Sequence, residues 1–443
     1  MTTRLDPAVL KLAGILVLGA VTPLLDSTIV SIALHTLGTD LDTSTTAVQW
    51  VSTAYLLALA TVVPVSAWAV ERHGARRVWL GSLALFLVGS MLCGLAWNIG
   101  SLVAFRVVQG VGGGLLLPVL QTLVMRAAGG RDLGRLMAVI TLPALLGPIL
   151  GPVLGGLIVG HLSWRWIFYV NLPLGLLAPA LAHRGVPKDT PRPGHRLDVT
   201  GLLLLSPGLA ALIYGLTETG AARAGALAVG AVLVAAFAAH ALRSPRPLVE
   251  LRLFRDRAFA VSSALMFLNG LALYGGMFLL PLYYQQARGE SVVAAGLLLA
   301  PQGLGSLLAR VTGSLTDRVG PRPVALGGLL LAALGTLPFA LSHPSAALLP
   351  VALVVRGLGM SAANLAVNVG AYQDLDHARV PHASAAVRIV QQLGGSFGTA
   401  VLAAVLTHGG FPYAFAWSTA FTFLAALVGL RLPIRVASAE AHP

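Results

Sequence analysis

Charge is what this chain lacks: 10% of its 443 residues are Asp, Glu, Lys or Arg, against 56% that are apolar. Soluble domains carry about a quarter of their residues as charges, and a soluble chain of this length would form roughly three of them. So few polar groups cannot cover three separate surfaces, which excludes a soluble assembly. Cysteine is almost absent as well. Cys93 is the single one, so no intramolecular disulfide can form, and its apolar neighbours fit a buried inert thiol. Lysine is nearly missing: Lys11 follows Leu10 and Lys188 follows Pro187. Without a Gly-Lys pair there is no Walker A loop, which excludes nucleotide hydrolysis by that route. Acids are short too, 16 against 29 basic groups for a net charge of +13. In a soluble protein that excess would suggest nucleic acid. In a membrane chain it marks basic cytoplasmic loops facing anionic lipid. The 50 glycines and 26 prolines exclude a simple coiled coil. With a mean hydropathy of +0.83, what remains is an all-α polytopic membrane protein.

A helix needs about 20 mainly apolar residues to cross the hydrocarbon. That ruler marks spans at 10–34, 48–70, 78–97, 102–124, 136–159, 164–182, 199–216, 224–241, 258–283, 292–315, 324–341, 346–366, 383–406 and 411–432. These are 14 spans in groups of six, two and six. The first run is too long for a signal-peptide core and stays as a span. With a cytoplasmic N-terminus, cytoplasmic segments hold 22 of the 29 basic groups, and external loops hold only Arg165, Arg223 and Arg288. The positive-inside rule then places both termini in the cytoplasm. Glu71-Arg72-His73-Gly74-Ala75-Arg76 after the second span is matched, 246 residues later, by Asp317-Arg318-Val319-Gly320-Pro321-Arg322 after the tenth. A repeat of that length implies a duplicated six-helix bundle with the two central spans inserted. The expected organisation is an N-terminal bundle over 1–182, the insertion with its basic linkers over 183–257, and a C-terminal bundle over 258–443.

Several motifs carry the chemistry. Leu25-Asp26-Ser27-Thr28-Ile29-Val30 opens the polar record of the first span, and Trp50 with Tyr55 that of the second. Arg106-Val107-Val108-Gln109-Gly110-Val111-Gly112 lies in the fourth, and Trp164-Arg165-Trp166-Ile167-Phe168 with Asn171 and Pro173 opens the sixth. In the fifth, Gly147, Gly151, Pro152, Gly155 and Gly156 follow the pattern glycine-x-x-x-glycine-proline-x-x-glycine-glycine. Glycines four apart let helices approach closely in lipid, and the proline weakens the backbone ladder. Static packing and a bendable seam sealing one side of the molecule both fit that spacing. Two other strings fail. Gly394-Gly395-Ser396-Phe397-Gly398 has the hydrolase-elbow spelling but lies inside an apolar helix. Asp374, Asp376, His377 and His382 read as a solvated loop and not as a metal site, so no metal and no cofactor is expected.

Together these residues resemble the major facilitator superfamily, specifically its fourteen-span drug/proton antiporter family, over nearly the whole chain. The resemblance implies two six-helix bundles plus two extra central helices, working by alternating access. It implies a proton-coupled exporter of lipophilic organic compounds in a bacterial plasma membrane, monomeric, with small amphiphilic substrates, protons and lipid as partners and no nucleic acid. An exporter dedicated to one native metabolite, antibiotic or lipid keeps the same fold. A membrane-embedded enzyme would need a polar cluster near one interface, where only scattered histidines occur. The first loop has Ala67 and Glu71 where the family has glycine and aspartate. Its second copy, Gly313 with Asp317, Arg318, Gly320 and Arg322, matches better. Both copies, the first through Glu71, Arg72, Gly74 and Arg76, are expected to form a cytoplasmic gate made when that side closes. Positive-inside anchoring alone explains the same charges, and surface pairs are individually weak.

The polar residues on the cleft-facing spans of such a fold are Tyr55, Gln109, Asn269, Gln302, Asn364, Asn368 and Gln391. Each is a candidate for substrate contact or for an interhelical hydrogen bond. Asp26 is the one acid deep in the membrane, against Arg106, Arg310 and Arg356. An ionisable group inside a span is a functional candidate. Asp26 lies about 12 Å and Arg106 about 6 Å from the same membrane face at 1.5 Å per residue, within reach of an arginine side chain. Burial favours the protonated acid and a nearby arginine the carboxylate, so making and breaking this pair can load and release a proton. A fixed structural ion pair is the alternative.

Overall fold

The computed structural model describes residues 7–128, 150–185, 197–218, 220–245, 247–342, 344–372 and 380–432. Among them the chain is helical, without a strand. The helices are α1 (Pro7–Asp40), α2 (Thr45–Val62), α3 (Val65–His73), α4 (Ala75–Gly94) and α5 (Ile99–Ala128). There follow α6 (Leu150–His161), α7 (Trp166–Tyr169), α8 (Asn171–Gly185), α9 (Val199–Thr217) and α10 (Gly220–Arg243). The C-terminal half holds α11 (Arg257–Leu282), α12 (Val292–Leu308), α13 (Thr312–Val319), α14 (Pro321–Thr336), α15 (Leu348–Tyr372) and α16 (Val380–Gly429). Ten stretches of the described residues are long and apolar enough to cross a membrane. Large apolar side chains such as Leu203, Val232 and Leu427 are mostly exposed, which suits a lipid-facing belt and not a water-facing surface. The buried core mixes aliphatic and small residues with aromatics, including Trp79, Phe86, Phe278 and Phe415.

Sequence-derived spans break where backbone chemistry requires it. The run 48–70 divides into α2 and α3 at Pro64, because proline removes an N–H and clashes with the preceding turn. The run 292–315 divides likewise at a 3₁₀ turn over Ala309–Val311. The run 164–182 is interrupted between α7 and α8, at Val170. The expected short loop at 407–410 is instead a break within α16, where Gly410 takes φ 75° just before Pro412. Of the span 136–159 only α6 is described, and Gly147, Asp374, Asp376 and His377 lie outside the described residues.

The internal repeat is visible in the backbone. Gly74 ends α3 with φ 84° and Gly320 ends α13 with φ 85°, each donating its N–H at 2.9 Å to the carbonyl four residues back. A side chain in that left-handed region costs roughly 1–2 kcal/mol. Gly74→Ala and Gly320→Ala should therefore each lower the unfolding midpoint in detergent. Gly327→Ala, a helical site with nothing within 4 Å, should not.

Within the N-terminal half α4 lies along α5, α2 on α5 and α1 on α8. In the C-terminal half α11 lies along α16, while α12 and α14 flank α15. The two halves meet through α2 against α16 and α1 against α11 and α12. The pair α9 and α10 packs on itself, and α9 docks on α2 and α16, with the Trp50 and Tyr214 rings 6.5 Å apart. Asp198 holds this pair at one end. Its carboxylate accepts from the N–H of Gly201 (2.8 Å) and of Leu248 (2.9 Å) and pairs with His240 Nε2 at 2.7 Å. Partial burial pushes the Asp198 pKa up, but the Gly201 N–H, His240 and the Leu248 N–H outweigh it and hold the carboxyl below its ordinary value. A lowered carboxyl stabilises above its unfolded pKa and loses that contribution as pH falls through the folded value. Amide protection over 199–217, relative to the intrinsic exchange rate at each pH, should accordingly fall below about pH 4, and Asp198→Ala should produce the same loosening at neutral pH through the lost helix cap.

Candidate functional site

Asp26 on α1 and Arg106 on α5 form a salt bridge in which both side chains are fully enclosed. Asp26 Oδ2 accepts from Arg106 Nη1. Its Oδ1 accepts from Gln109 Nε2 at 2.9 Å and from Asn171 Nδ2 at 3.1 Å. Arg106 also donates from Nε to the Val51 carbonyl at 3.0 Å and from Nη1 to Gln109 Oε1 at 2.6 Å. Its guanidinium lies 4.0 Å over the Tyr55 ring, and Tyr55 donates its hydroxyl to the Pro23 carbonyl at 3.2 Å. Ser90 on α4 accepts from Gln109 (3.1 Å) and Asn171 (3.0 Å) and donates to the Phe168 carbonyl at 2.8 Å. A buried ion pair repays its desolvation only with good geometry and added hydrogen bonds. Here four helices supply them. Arg106 Nη2 alone of the cluster is enclosed with no hydrogen-bond partner among the described residues.

Of its members, Asn171 stands in the sixth-span motif without a role assigned to it from sequence, and Ser90 is not singled out by sequence at all. They sit on α4 and α8, outside the spans singled out as cleft-facing. An asparagine at the start of an otherwise apolar helix was the available signal. A lone mid-helix serine gives none, since it so often bonds its own backbone.

A cavity of about 20 Å³ adjoins the pair, walled by Ser27, Tyr55 and Arg106 from one half and by Tyr274, Met277 and Thr399 from the other. It has room for about one water, far below the hundreds of Å³ a drug-sized ligand requires. Across it Thr53 and Thr399 hydrogen-bond at 2.7 Å. Of the seven cavity candidates, Tyr55 lines this space. Gln109 is enclosed in the charge cluster. Gln302 accepts from Arg356 Nη1 at 2.9 Å. Asn368 donates to Asn364 Oδ1 at 2.7 Å and to Met266 Sδ at 3.9 Å. Asn269 is buried with neither amide atom bonded among the described residues. Gln391 is half-buried, and its carbonyl lies against Gly270.

A larger cavity of about 470 Å³ opens at the far end of α1, bordered by His35, Thr39, Asp42, Ser44 and Gln286. Between it and the centre the two halves are latched. Gln285 Nε2 donates to the Ile32 carbonyl at 3.0 Å, and Gln286 Nε2 lies 3.1 Å from His35 Nδ1.

The glycine motif is two-faced. Gly151 and Gly155, the face that four-residue spacing singled out, turn to Thr28, Ile29 and Ile32 of α1, in the same half. Contact with the other half lies one residue on, about 100° around the helix. A Cβ on Gly156 would come 2.8 Å from the Val292 carbonyl and 3.3 Å from Val293 Cα, and the Pro152 carbonyl presses on Gly296 of α12. At the loop motifs Glu71, Arg72 and Arg318 are exposed, Arg76 and Arg322 half-buried, and Gly313 lies loosely against Leu365. The side chain of Asp317 lies outside the described residues.

Comparison with known proteins agrees with this architecture. The family model described as Major Facilitator Superfamily matches residues 16–399 and 310–442. A Mycobacterium tuberculosis protein named multidrug resistance protein B homolog is 42% identical over 420 residues, covering 91% of this chain and 77% of that protein. The Bacillus subtilis protein named uncharacterized MFS-type transporter YhcA is 30% identical, covering 90% of this chain and 77% of its own. Among solved structures, a POT family transporter in complex with a thioalcohol-conjugated peptide superposes with a TM-score of 0.75 at 17% identity, covering 94% of this chain and 95% of that one. The apolar helices and bacterial relatives make this an integral protein of the bacterial inner membrane.

Proposed function

The chain belongs to the Major Facilitator Superfamily, and from that membership we propose that it is a proton-coupled antiporter exporting lipophilic organic compounds by alternating access. The enclosed Asp26–Arg106 pair is the observation that carries this reading. It places an acid in the membrane interior against Arg106, which lines the cavity between the two halves. The Mycobacterium tuberculosis relative is named a multidrug resistance protein; for this chain the proposed substrates are small amphiphilic compounds, which leave chemically unchanged. No enzymatic step and no cofactor is involved.

The organisation that goes with it has 14 spans: bundles over 1–182 and 258–443, and two central helices over 183–257, with both termini cytoplasmic. In that orientation the 470 Å³ cavity and the α6–α12 seam are external, and the described state is closed between centre and outside. The loops around Gly74 and Gly320 form the opposing gate. The protein works as a monomer.

The test uses purified protein in liposomes carrying an internal pH-sensitive dye. Adding a lipophilic cation outside, with no gradient imposed, should move protons in the opposite direction to the cation. Substrate entry without any dye response, or recovery of a chemically altered compound, would overturn the proposal.

A further inference from the structure

The C-terminal half repeats the charge pair with its acid missing. Helices α1 and α11 begin at Pro7 and Arg257, Asp26 corresponds to Gly276, and Arg106 corresponds to Arg356, each separated by the same 250 residues. The structure joins the two counterparts as it joins the originals. A Cβ on Gly276 would run into the Arg356 guanidinium, so glycine is what lets that group lie against the backbone of α11. Arg356 is 1% exposed. It donates from Nη1 to Gln302 Oε1 at 2.9 Å and from Nη2 to the Ala272 carbonyl at 3.0 Å, and no ion pair reaches it among the described residues.

A guanidinium offers five N–H donors and a full charge that does not titrate away in proteins. Two dipolar oxygens satisfy part of the first and none of the second. Asp26 is already committed to Arg106, so the enclosed charges of Asp26, Arg106 and Arg356 sum to one positive. A cation held inside a membrane helix without a counter-charge is costly and marks a functional position. Gln302 is half-buried where Arg356 is enclosed, which makes its amide the outer layer over the guanidinium. Met277, next to Gly276, lines the central cavity.

We propose that Arg356 and Gln302 form a receiving site for the carboxylate of an amphiphilic monoanion, the acid being supplied by the transported compound where the chain supplies none. This rests on the export reading above and extends its substrate class to lipophilic acids. The planar fork of arginine matches a carboxylate edge-on. One guanidinium balances one charge.

The test is equilibrium binding in detergent, without any gradient, of dansylaminoundecanoate and of its primary amide, which differ only in the head group. Wild type should bind the carboxylate about tenfold more tightly, as expected for a charge-assisted hydrogen-bonded pair. Gln302→Glu keeps the side-chain shape and places an internal carboxylate on Arg356. It should bring the ratio to about one. Arg356→Gln should remove the preference as well. Equal binding of the two probes by wild type, binding of neither, or an unchanged ratio in Gln302→Glu overturns the site. Because no proton gradient enters the measurement, a failure of proton coupling leaves this ratio intact, and a lost ratio leaves dye-reported antiport of cations intact.

Discussion

Asp26→Asn should reduce pH-gradient-driven accumulation of substrate to the level of protein-free liposomes while leaving a folded protein that still equilibrates substrate down its gradient. The folding half of this expectation has a precedent inside the molecule. Removing the charge of Asp26 leaves Arg106 an enclosed guanidinium facing an amide oxygen and a backbone carbonyl. That is the arrangement Arg356 already has with Gln302 and Ala272. Arg106 would also keep Gln109 Oε1 and the Val51 carbonyl.

The coupling half follows by elimination within the cluster. Arginine does not deprotonate in proteins, and Gln109, Asn171 and Ser90 have no charged form to cycle through. Tyr and Cys side chains ordinarily titrate well above neutrality. Asp26 is the one group whose proton can be loaded and released. As a carboxylate it accepts three hydrogen bonds. Withdrawing Arg106 on α5 from α1 removes the charged one. The reverse substitution behaves differently. Arg106→Ala strands a carboxylate, and breaking a buried pair that way costs about 3–5 kcal/mol, so it should lower the unfolding midpoint as well as transport. Uphill accumulation by Asp26→Asn liposomes under ΔpH alone would place the proton site elsewhere.

Helix positions were legible because lipid demands long apolar runs, and each run is visible without knowing its neighbours. The Asp26–Arg106 contact was legible for a related reason: two charges at similar depth have few other partners. What the sequence hid was lateral. Ser90 and Asn171 reach Asp26 only because α4 and α8 pack behind α1 and α5, and nothing in a linear reading ranks the polar groups of one apolar helix above those of another. The seven cavity candidates scattered for the same reason. They share a residue class, but only packing decides whether an amide caps a buried guanidinium, as at Gln302, or seals a cluster, as at Gln109. The repeat at Glu71 and Asp317 pointed to a duplication, yet not that Gly276 stands opposite Arg356. That takes the helix pairing.

The two glycines at the end of the motif should give opposite phenotypes although they are neighbours in sequence. Gly155 faces Ile29 and Ile32 of α1, where an added Cβ would lie 3.0 Å from the Ile29 carbonyl. Gly155→Leu therefore overpacks the interior of one half, at roughly 1–3 kcal/mol, and should lower the unfolding midpoint. Gly156 faces the other half. Leucine there must push Val292, Val293 and Gly296 away from α6, and it can do so by separating the halves along a seam that alternating access has to open in any case. Gly156→Leu should thus keep its midpoint but lose the closed state, and with it accumulation against a gradient. Spin labels on His161→Cys and Glu290→Cys, at the adjoining ends of α6 and α12, report the opening directly. Cys93, the one native cysteine, is buried and contributes no label. The expected result is a longer label separation in Gly156→Leu and an unchanged separation in Gly155→Leu. If Gly156→Leu instead keeps the wild-type separation and full accumulation, the seam is static packing, and the motif has no part in closing the molecule.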